Sequence, residues 1–163
     1  MVDDAGPPQV RPPTVADLTR ICAALHREGA RYLLIGGFAV ILHGGERTTK
    51  DIDLLVDPGP ENVSRLKKAL SILEDDAASE IELTDLEKYV VVRVADEVMV
   101  DLLAAACGVT WEEARASAES IEIQGVAVLV ADKRTLIRTK NTVRPSDAAD
   151  RAWLQALIEE DER

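Results

Sequence analysis

Aromatic side chains are scarce in this sequence: one Phe, two Tyr and two Trp among 163 residues. Any core must therefore be aliphatic, and 47% apolar residues supply one. Trp111 and Trp153 lack the basic–aromatic interleaving of base-stacking platforms and read as core anchors. Cysteine is limited to Cys22 and Cys107, neither in CxxC or CxxH spacing. That excludes a zinc ribbon or a disulfide framework, and the apolar neighbours of both suggest buried, reduced thiols. His26 and His43 are isolated, with no partner at metal-ligand spacing. Positive charge is in deficit, with 19 Lys and Arg against 30 Asp and Glu, a net charge of -11. Proteins that follow a nucleic-acid backbone are ordinarily basic, so a grip on a long polyanion over the whole surface is disfavoured. One local basic site stays compatible with that balance. No apolar run approaches the roughly 18–20 residues that span a bilayer. Met1-Val-Asp-Asp carries acids where a secretory signal carries positive charge, so the expectation is a cytoplasmic protein without a membrane segment.

The length suggests one domain, expected over residues 14–163 behind a Pro-rich flexible arm at 1–13. Thr14 with Asp17 reads as a capping box, and Val15, Leu18, Ile21, Cys22 and Leu25 recur on one helical face up to Gly29. Strands are expected over 32–35, 51–56, 89–94 and 98–103, the last two joined by an Asp96-Glu97 turn. A second hairpin, 121–123 with 126–130, turns at Gln124-Gly125. Further helices are expected over 38–42, 61–73, 110–120, from Asp132 to about 141, and 147–160. The elements mix without regular strand–helix alternation, which points to an α+β fold built on a mixed sheet flanked by helices.

The chemistry is concentrated around Gly36-Gly37 and Asp51-Ile52-Asp53. On a strand, Asp51 and Asp53 face the same way with Cα atoms about 6.5 Å apart. Two such carboxylates repel each other, by about 4 kcal/mol at 4 Å for an effective dielectric near 20. A divalent cation removes that penalty, and Mg²⁺ fits best because it takes carboxylates together with substrate phosphates. Asp101 lies inside the apolar string Val98-Met99-Val100-Asp101-Leu102-Leu103, where an ionised group is costly unless paired. If its strand lies beside the Asp51/Asp53 strand, three carboxylates meet at one edge, as a two-metal phosphoryl-transfer centre requires. Gly36-Gly37, without Cβ atoms, would let backbone approach phosphate oxygens closely.

Ile35-Gly36-Gly37 followed by Asp51-Ile52-Asp53-Leu54 resembles the signature of the polymerase-β-like nucleotidyltransferases. The longer string Leu34–Val40, His43-Gly44 and Arg47-Thr48-Thr49-Lys50-Asp51-Ile52-Asp53 is similar to the AbiEii branch, the toxins of type IV toxin–antitoxin systems. Gly125, Val128, Leu136-Ile137, Lys140, Arg144, Asp147 and Asp150 resemble that branch's later pattern, so the likeness spans about residues 32–157. It implies a minimal nucleotidyltransferase fold, Asp51, Asp53 and Asp101 as catalytic metal ligands for Mg²⁺ (two ions), and a nucleoside triphosphate substrate. It further implies that Lys140 contacts the triphosphate and that Asp147 is the late acid of the pattern. The acceptor would be a tRNA end or a protein, and a cognate antitoxin the partner. Many AbiEii-like toxins carry extra helical regions, whereas the likeness here is confined to a sequence that stops at Arg163.

Among the cations, Lys140 is read as a surface-end lysine free to offset triphosphate charge, with Lys133 as the alternative contact. Arg47 and Thr49 are candidate nucleotide-binding residues, Thr49 because it shares the Asp51/Asp53 face; Lys50, between Thr49 and Asp51, reads as solvated. Two other functions compete: transfer to a small hydroxylated acceptor of the antibiotic type, and a non-catalytic member of a toxin–antitoxin pair. Three mutually repelling acids favour the enzyme, since a scaffold has no physical need of them.

Overall fold

The computed structural model describes residues 10–163; residues 1–9, most of the expected Pro-rich arm, lie outside the described residues. Arg11 grips Asp17 through two nitrogens at 2.6 and 2.8 Å, and its backbone N–H donates to the Glu97 carbonyl at 3.2 Å. Helix α1 (Val15–Arg27) starts on the reciprocal capping box: Thr14 Oγ1 accepts from the Asp17 N–H at 3.2 Å, and Asp17 accepts from the Thr14 N–H at 2.7 Å. The chain continues through β1 (Tyr32–Ile35), α2 (Gly36–Leu42), β2 (Asp51–Val56) and α3 (Pro60–Leu70). After a 3-10 turn at Ala77–Glu80 come α4 (Asp85–Lys88), β3 (Val91–Ala95) and β4 (Met99–Leu103). The short pair β5 (Ala105–Ala106) and β6 (Val109–Thr110) leads to α5 (Trp111–Ala114), β7 (Glu119–Ile123) and β8 (Val126–Val130). Helices α6 (Lys133–Thr139) and α7 (Pro145–Asp161) complete the chain.

The architecture is a mixed six-stranded sheet in the order β3-β4-β2-β1-β8-β7, flanked by helices, as the sequence pattern anticipates. Strand β1 runs antiparallel to β2 and parallel to β8, β2 runs parallel to β4, and the outer pairs β3/β4 and β7/β8 are hairpins. Leu34, Ile52, Leu54, Val100, Leu102, Val128 and Val130 are sealed in the core with Leu18, Ile21, Leu25 and Leu66 from α1 and α3. Helix α1 packs against α3, and α6 against α7. Burial of this aliphatic surface, at about 25 cal/mol per Å² of apolar area, is the main stabilising term.

Buried polar groups tie the layers together. Asn62 on α3 accepts from the Arg31 N–H at 2.7 Å and donates to the carbonyls of Arg31 and Asp57 at 3.0 and 2.8 Å. It locks α3 to the entry of β1 and the exit of β2. Asp96, expected only as a turn residue, is buried and accepts from the backbone N–H groups of Asp75, Ala77 and Glu97. The Tyr32 hydroxyl meets His26 Nε2 at 2.7 Å and accepts from the Leu129 N–H at 3.1 Å. His43 Nε2 donates to the Ala131 carbonyl at 2.9 Å, so both histidines have structural partners.

Several elements depart from the sequence pattern. The helix expected over 110–120 stops at Ala114 and a 3-10 turn, because Glu119 and Ser120 pair with Val130 and Leu129 in the sheet. Ladder bonding there outweighs helix propensity. Cys107 is exposed rather than buried; it sits in a turn at φ 49°, and its thiol donates to the Thr139 carbonyl at 3.2 Å. Cys22 is buried as expected, and burial pushes its thiol up to about 11. Among the described residues no helix is long and apolar enough to cross a membrane.

Candidate active site

The parallel pairing of β2 with β4 sets Asp53 directly beside Asp101, with Asp51 one step along the same face opposite Met99. One carboxylate oxygen from each of Asp51, Asp53 and Asp101 lies within 4.8 Å of the other two. The strand period predicts that Asp51 and Asp53 share a face; the register adds Asp101 to it. Burial, then the charges of Asp51 and Asp101, push the Asp53 carboxyl up to about 7. Burial and the Asp101 charge also raise Asp51, with Arg93 opposing them.

Gly36 and Gly37 form the first turn of α2 instead of a loop before it. Gly36 has φ 75°, and a Cβ there would lie 2.1 Å from Asp53 Oδ2. A Cβ on Gly37 would lie 2.7 Å from Thr49 Oγ1. The pair therefore lets the start of α2 close on β2, packing one glycine on the Asp53 carboxylate and the other on the Thr49 side chain. Thr49 itself donates to the Asp51 carbonyl at 3.1 Å, which fixes the entry into β2.

A second charged group closes the pocket from the α6–α7 side. Lys140, expected at the surface, is buried, its side chain only 6% exposed, with Nζ 3.1 Å from Asp150 and 3.6 Å from Asp147. Helix α7 covers it, a tertiary closure that no local pattern signals. Arg47 ion-pairs with Asp150 from the opposite wall. Asp147 accepts from Thr142 Oγ1 at 2.6 Å and Arg144 Nε at 2.9 Å. Burial raises Asp147, but the Thr142 and Arg144 hydrogen bonds and the Lys140 charge outweigh it and hold the carboxyl below its ordinary range. Arg47, Lys140 and Arg144 against Asp147 and Asp150 leave one net positive charge beside the three acids. Lys133, the alternative cation, lies elsewhere, paired with Asp161 at 3.2 Å.

The three acids and, from the second group, Arg47, Lys140, Arg144 and Asp147 line one open cavity of about 750 Å³. Its lining includes Gly36, Gly37, Arg47, Thr49, Asp51, Asp53, Asp101, Lys140 and Asp147, so of the candidate site residues read from the sequence only the alternative cation Lys133 is not on it. Lys50 and Arg144 line it as well. Arg93 is the residue the sequence reading missed. Its guanidinium forks onto Asp101, Nε to Oδ1 at 2.8 Å and Nη2 to Oδ2 at 2.9 Å, and stands 3.8 Å from Asp51. The available signal was the hairpin: once 89–94 and 98–103 are paired about Asp96-Glu97, Arg93 falls opposite Asp101.

No family model matches the chain, and no curated protein sequence matches it. Among solved structures, the crystal structure of a candidate nucleotidyltransferase from Thermotoga maritima aligns with a TM-score of 0.55 at 13% sequence identity, covering 90% of this chain and 92% of that one. At that identity the likeness is one of architecture, and the chain has a nucleotidyltransferase-like fold.

Proposed function

We propose that the chain is a Mg²⁺-dependent nucleotidyltransferase that moves a nucleoside monophosphate from a nucleoside triphosphate onto a hydroxyl acceptor. The observation that carries this reading is the convergence of Asp51, Asp53 and Asp101 within 4.8 Å, on the wall of a cavity with cations on its other side. The donors suit a hard cation: all are carboxylate oxygens, Asp51 and Asp53 on one strand, with the Asp101 carboxylate close by to receive a proton. Oxygens bound to Mg²⁺ at about 2.0–2.1 Å lie roughly 3–4 Å from one another, within reach of small carboxyl rotations here. A bound ion supplies charge stabilisation at the phosphates and a lower pKa for the attacking hydroxyl.

The chain's own residues do the rest. Asp51 and Asp53 would hold the ion, whose charge would stabilise the phosphates of the bound triphosphate. The acceptor oxygen bonds to the α-phosphorus, the bond from that phosphorus to the β-phosphate bridging oxygen breaks, and pyrophosphate leaves. The hydroxyl proton passes towards Asp101. Arg144, exposed at the cavity rim, and Arg47 are the cations placed to meet the triphosphate, with Lys140 adding charge from beneath. Thr49 and the Gly36-Gly37 turn border the same phosphates. The likeness of residues 32–157 to AbiEii-type toxins favours a tRNA end or a protein as acceptor and a cognate antitoxin as partner. The net charge of -11 favours an acceptor gripped locally over extended RNA.

A non-catalytic partner-binding role is the second reading, and one observation favours it: Tyr89 and Val90, each 60% exposed, precede the outer strand β3 beside the cavity. One experiment separates the readings. Purified protein with Mg²⁺ and labelled nucleoside triphosphates is offered total RNA, total protein and a panel of small hydroxylated molecules, alongside Asp53→Asn. Label in the RNA or protein pool from wild type alone supports the proposal. Label confined to the small molecules selects the antibiotic-type acceptor. No label in any pool, with tight binding of a partner protein, replaces the enzyme by the interaction role.

A further inference from the structure

We propose that Arg93 takes the place of a second metal ion: it neutralises Asp101 and blocks any ion from bridging Asp101 to Asp51, so that Asp51 and Asp53 hold a single divalent cation. This rests on reading the three acids as a metal-dependent centre. Both oxygens of Asp101 accept from the guanidinium, at 2.8 and 2.9 Å. Such a bidentate fork is the strongest common form of carboxylate pairing. The same Nη2 lies 3.8 Å from Asp51 Oδ2, so one guanidinium reaches both acids that a shared ion would have to bridge. Arg93 is the direct cross-strand partner of Asp101 in the β3/β4 hairpin, so the fork is built into one local unit. The Asp101 side chain is 9% exposed and that of Arg93 57%, which puts the guanidinium between the acid and solvent.

Charge agrees with this arrangement. Three carboxylates are balanced by one divalent ion and one guanidinium. A second ion at Asp101 would have to share the carboxylate with two charge-assisted hydrogen bonds and sit close to Arg93, a cation with no deprotonated form to fall back on. The arrangement distinguishes the three acids by role. Asp51 and Asp53 are ion ligands, and Asp101 is a carboxylate positioned by Arg93 to face the attacking hydroxyl.

The test is the number of ions bound, read by Mn²⁺ titration with electron paramagnetic resonance and calorimetry, without nucleotide. Wild type is expected to bind one Mn²⁺. Arg93→Gln should take up a second, on the order of 10- to 100-fold tighter than any second ion on wild type, the scale of removing a competing charge-assisted hydrogen bond. Arg93→Gln combined with Asp101→Asn should return to one. Arg93→Lys, which keeps the charge and loses the fork, serves as the second variant and should admit the second ion more weakly than the Gln variant does; a thermal melt verifies folding of each. Two ions of similar affinity on wild type, or one ion on every Arg93 variant, overturns the assignment. Two ions on wild type with label transfer intact removes the Arg93 role and leaves the enzyme standing. No ion on any protein removes both.

Discussion

Gly36 and Asp53 are packed so closely that no side chain fits between them: a Cβ on Gly36 would lie 2.1 Å from Asp53 Oδ2 and 2.9 Å from its Cβ. The backbone at Gly36, φ 75°, is in addition one that a side chain strains. Gly36→Ala is therefore expected to push the Asp53 carboxylate off its position while the apolar core persists. Mn²⁺ affinity should fall by at least about tenfold, in line with displaced metal-ligand support. Calorimetric titration measures it, and unchanged affinity would show that the close packing does not set the ligand.

Asp53→Asn removes one charge from the acidic group at nearly constant volume. Nucleotide transfer is expected to fall by about 10³-fold or more, the scale for losing a principal charge-stabilising group. Metal-free stability at about pH 8 should rise, because a half-buried carboxylate repelled by Asp51 and Asp101 is gone. A variant that is both inactive and less stable than wild type would place Asp53 in the framework instead.

The same carboxyl predicts a pH dependence. Asp53 titrates at about 7 in the folded protein against 3.8 for the ordinary group, a rise caused by burial and then by Asp51 and Asp101. The folded chain thus binds this proton more tightly than the unfolded chain. Its contribution to stability is fully present below 3.8 and is lost as pH rises through about 7. Asp51 is shifted in the same direction. Asp147 is shifted the other way, and its contribution is lost only as pH falls below the ordinary carboxylate range. The urea midpoint of the metal-free protein should drop between about pH 5 and pH 8, and added Mg²⁺ or Asp53→Asn should flatten the drop. A midpoint that climbs over that interval contradicts the shift.

Lys140→Ala tests the buried charge group. Removing one partner from a buried ion pair typically costs about 3–5 kcal/mol, because the acids left behind lose their counter-charge. Asp150 keeps Arg47 and Asp147 keeps Arg144 and Thr142, so the lower end of that range is expected. Chemical denaturation measures the loss. A change below about 0.5 kcal/mol, the scale of an ordinary surface substitution, would return Lys140 to the role of a free phosphate contact.

Much of this was legible residue by residue. The capping box at Thr14 and Asp17, the two-residue period of Asp51 and Asp53, and the single acid in the apolar string around Asp101 each carry their physics locally. What was hidden depends on distant closure. Lys140 reads as a surface lysine until α7 folds over it. Arg93 looks like the solvent-facing member of an alternating strand, and only the register with β4 turns it towards Asp101. One-turn elements such as α4 and two-residue ladders such as β5 with β6 are too short to show a period. Gly36-Gly37 was recognised for its freedom, but the side chains it packs against, Asp53 and Thr49, are set by the closure of α2 on β2 and carry no local signal.

The pairing of Asp53 with Asp101 also orders events during synthesis. The two residues come from strands separated by a helix, a 3-10 turn, a further helical turn and strand β3, so a growing chain displays Asp51 and Asp53 long before Asp101 has a strand to sit on. Lys140 and its acids arrive later still. Contacts so far apart in sequence form late and together. A nascent chain cut off before β4 has Asp51 and Asp53 with Arg47 and Arg93, but neither Asp101 nor Lys140 and Arg144, so the acid centre takes shape only when the later strands and helices have been made.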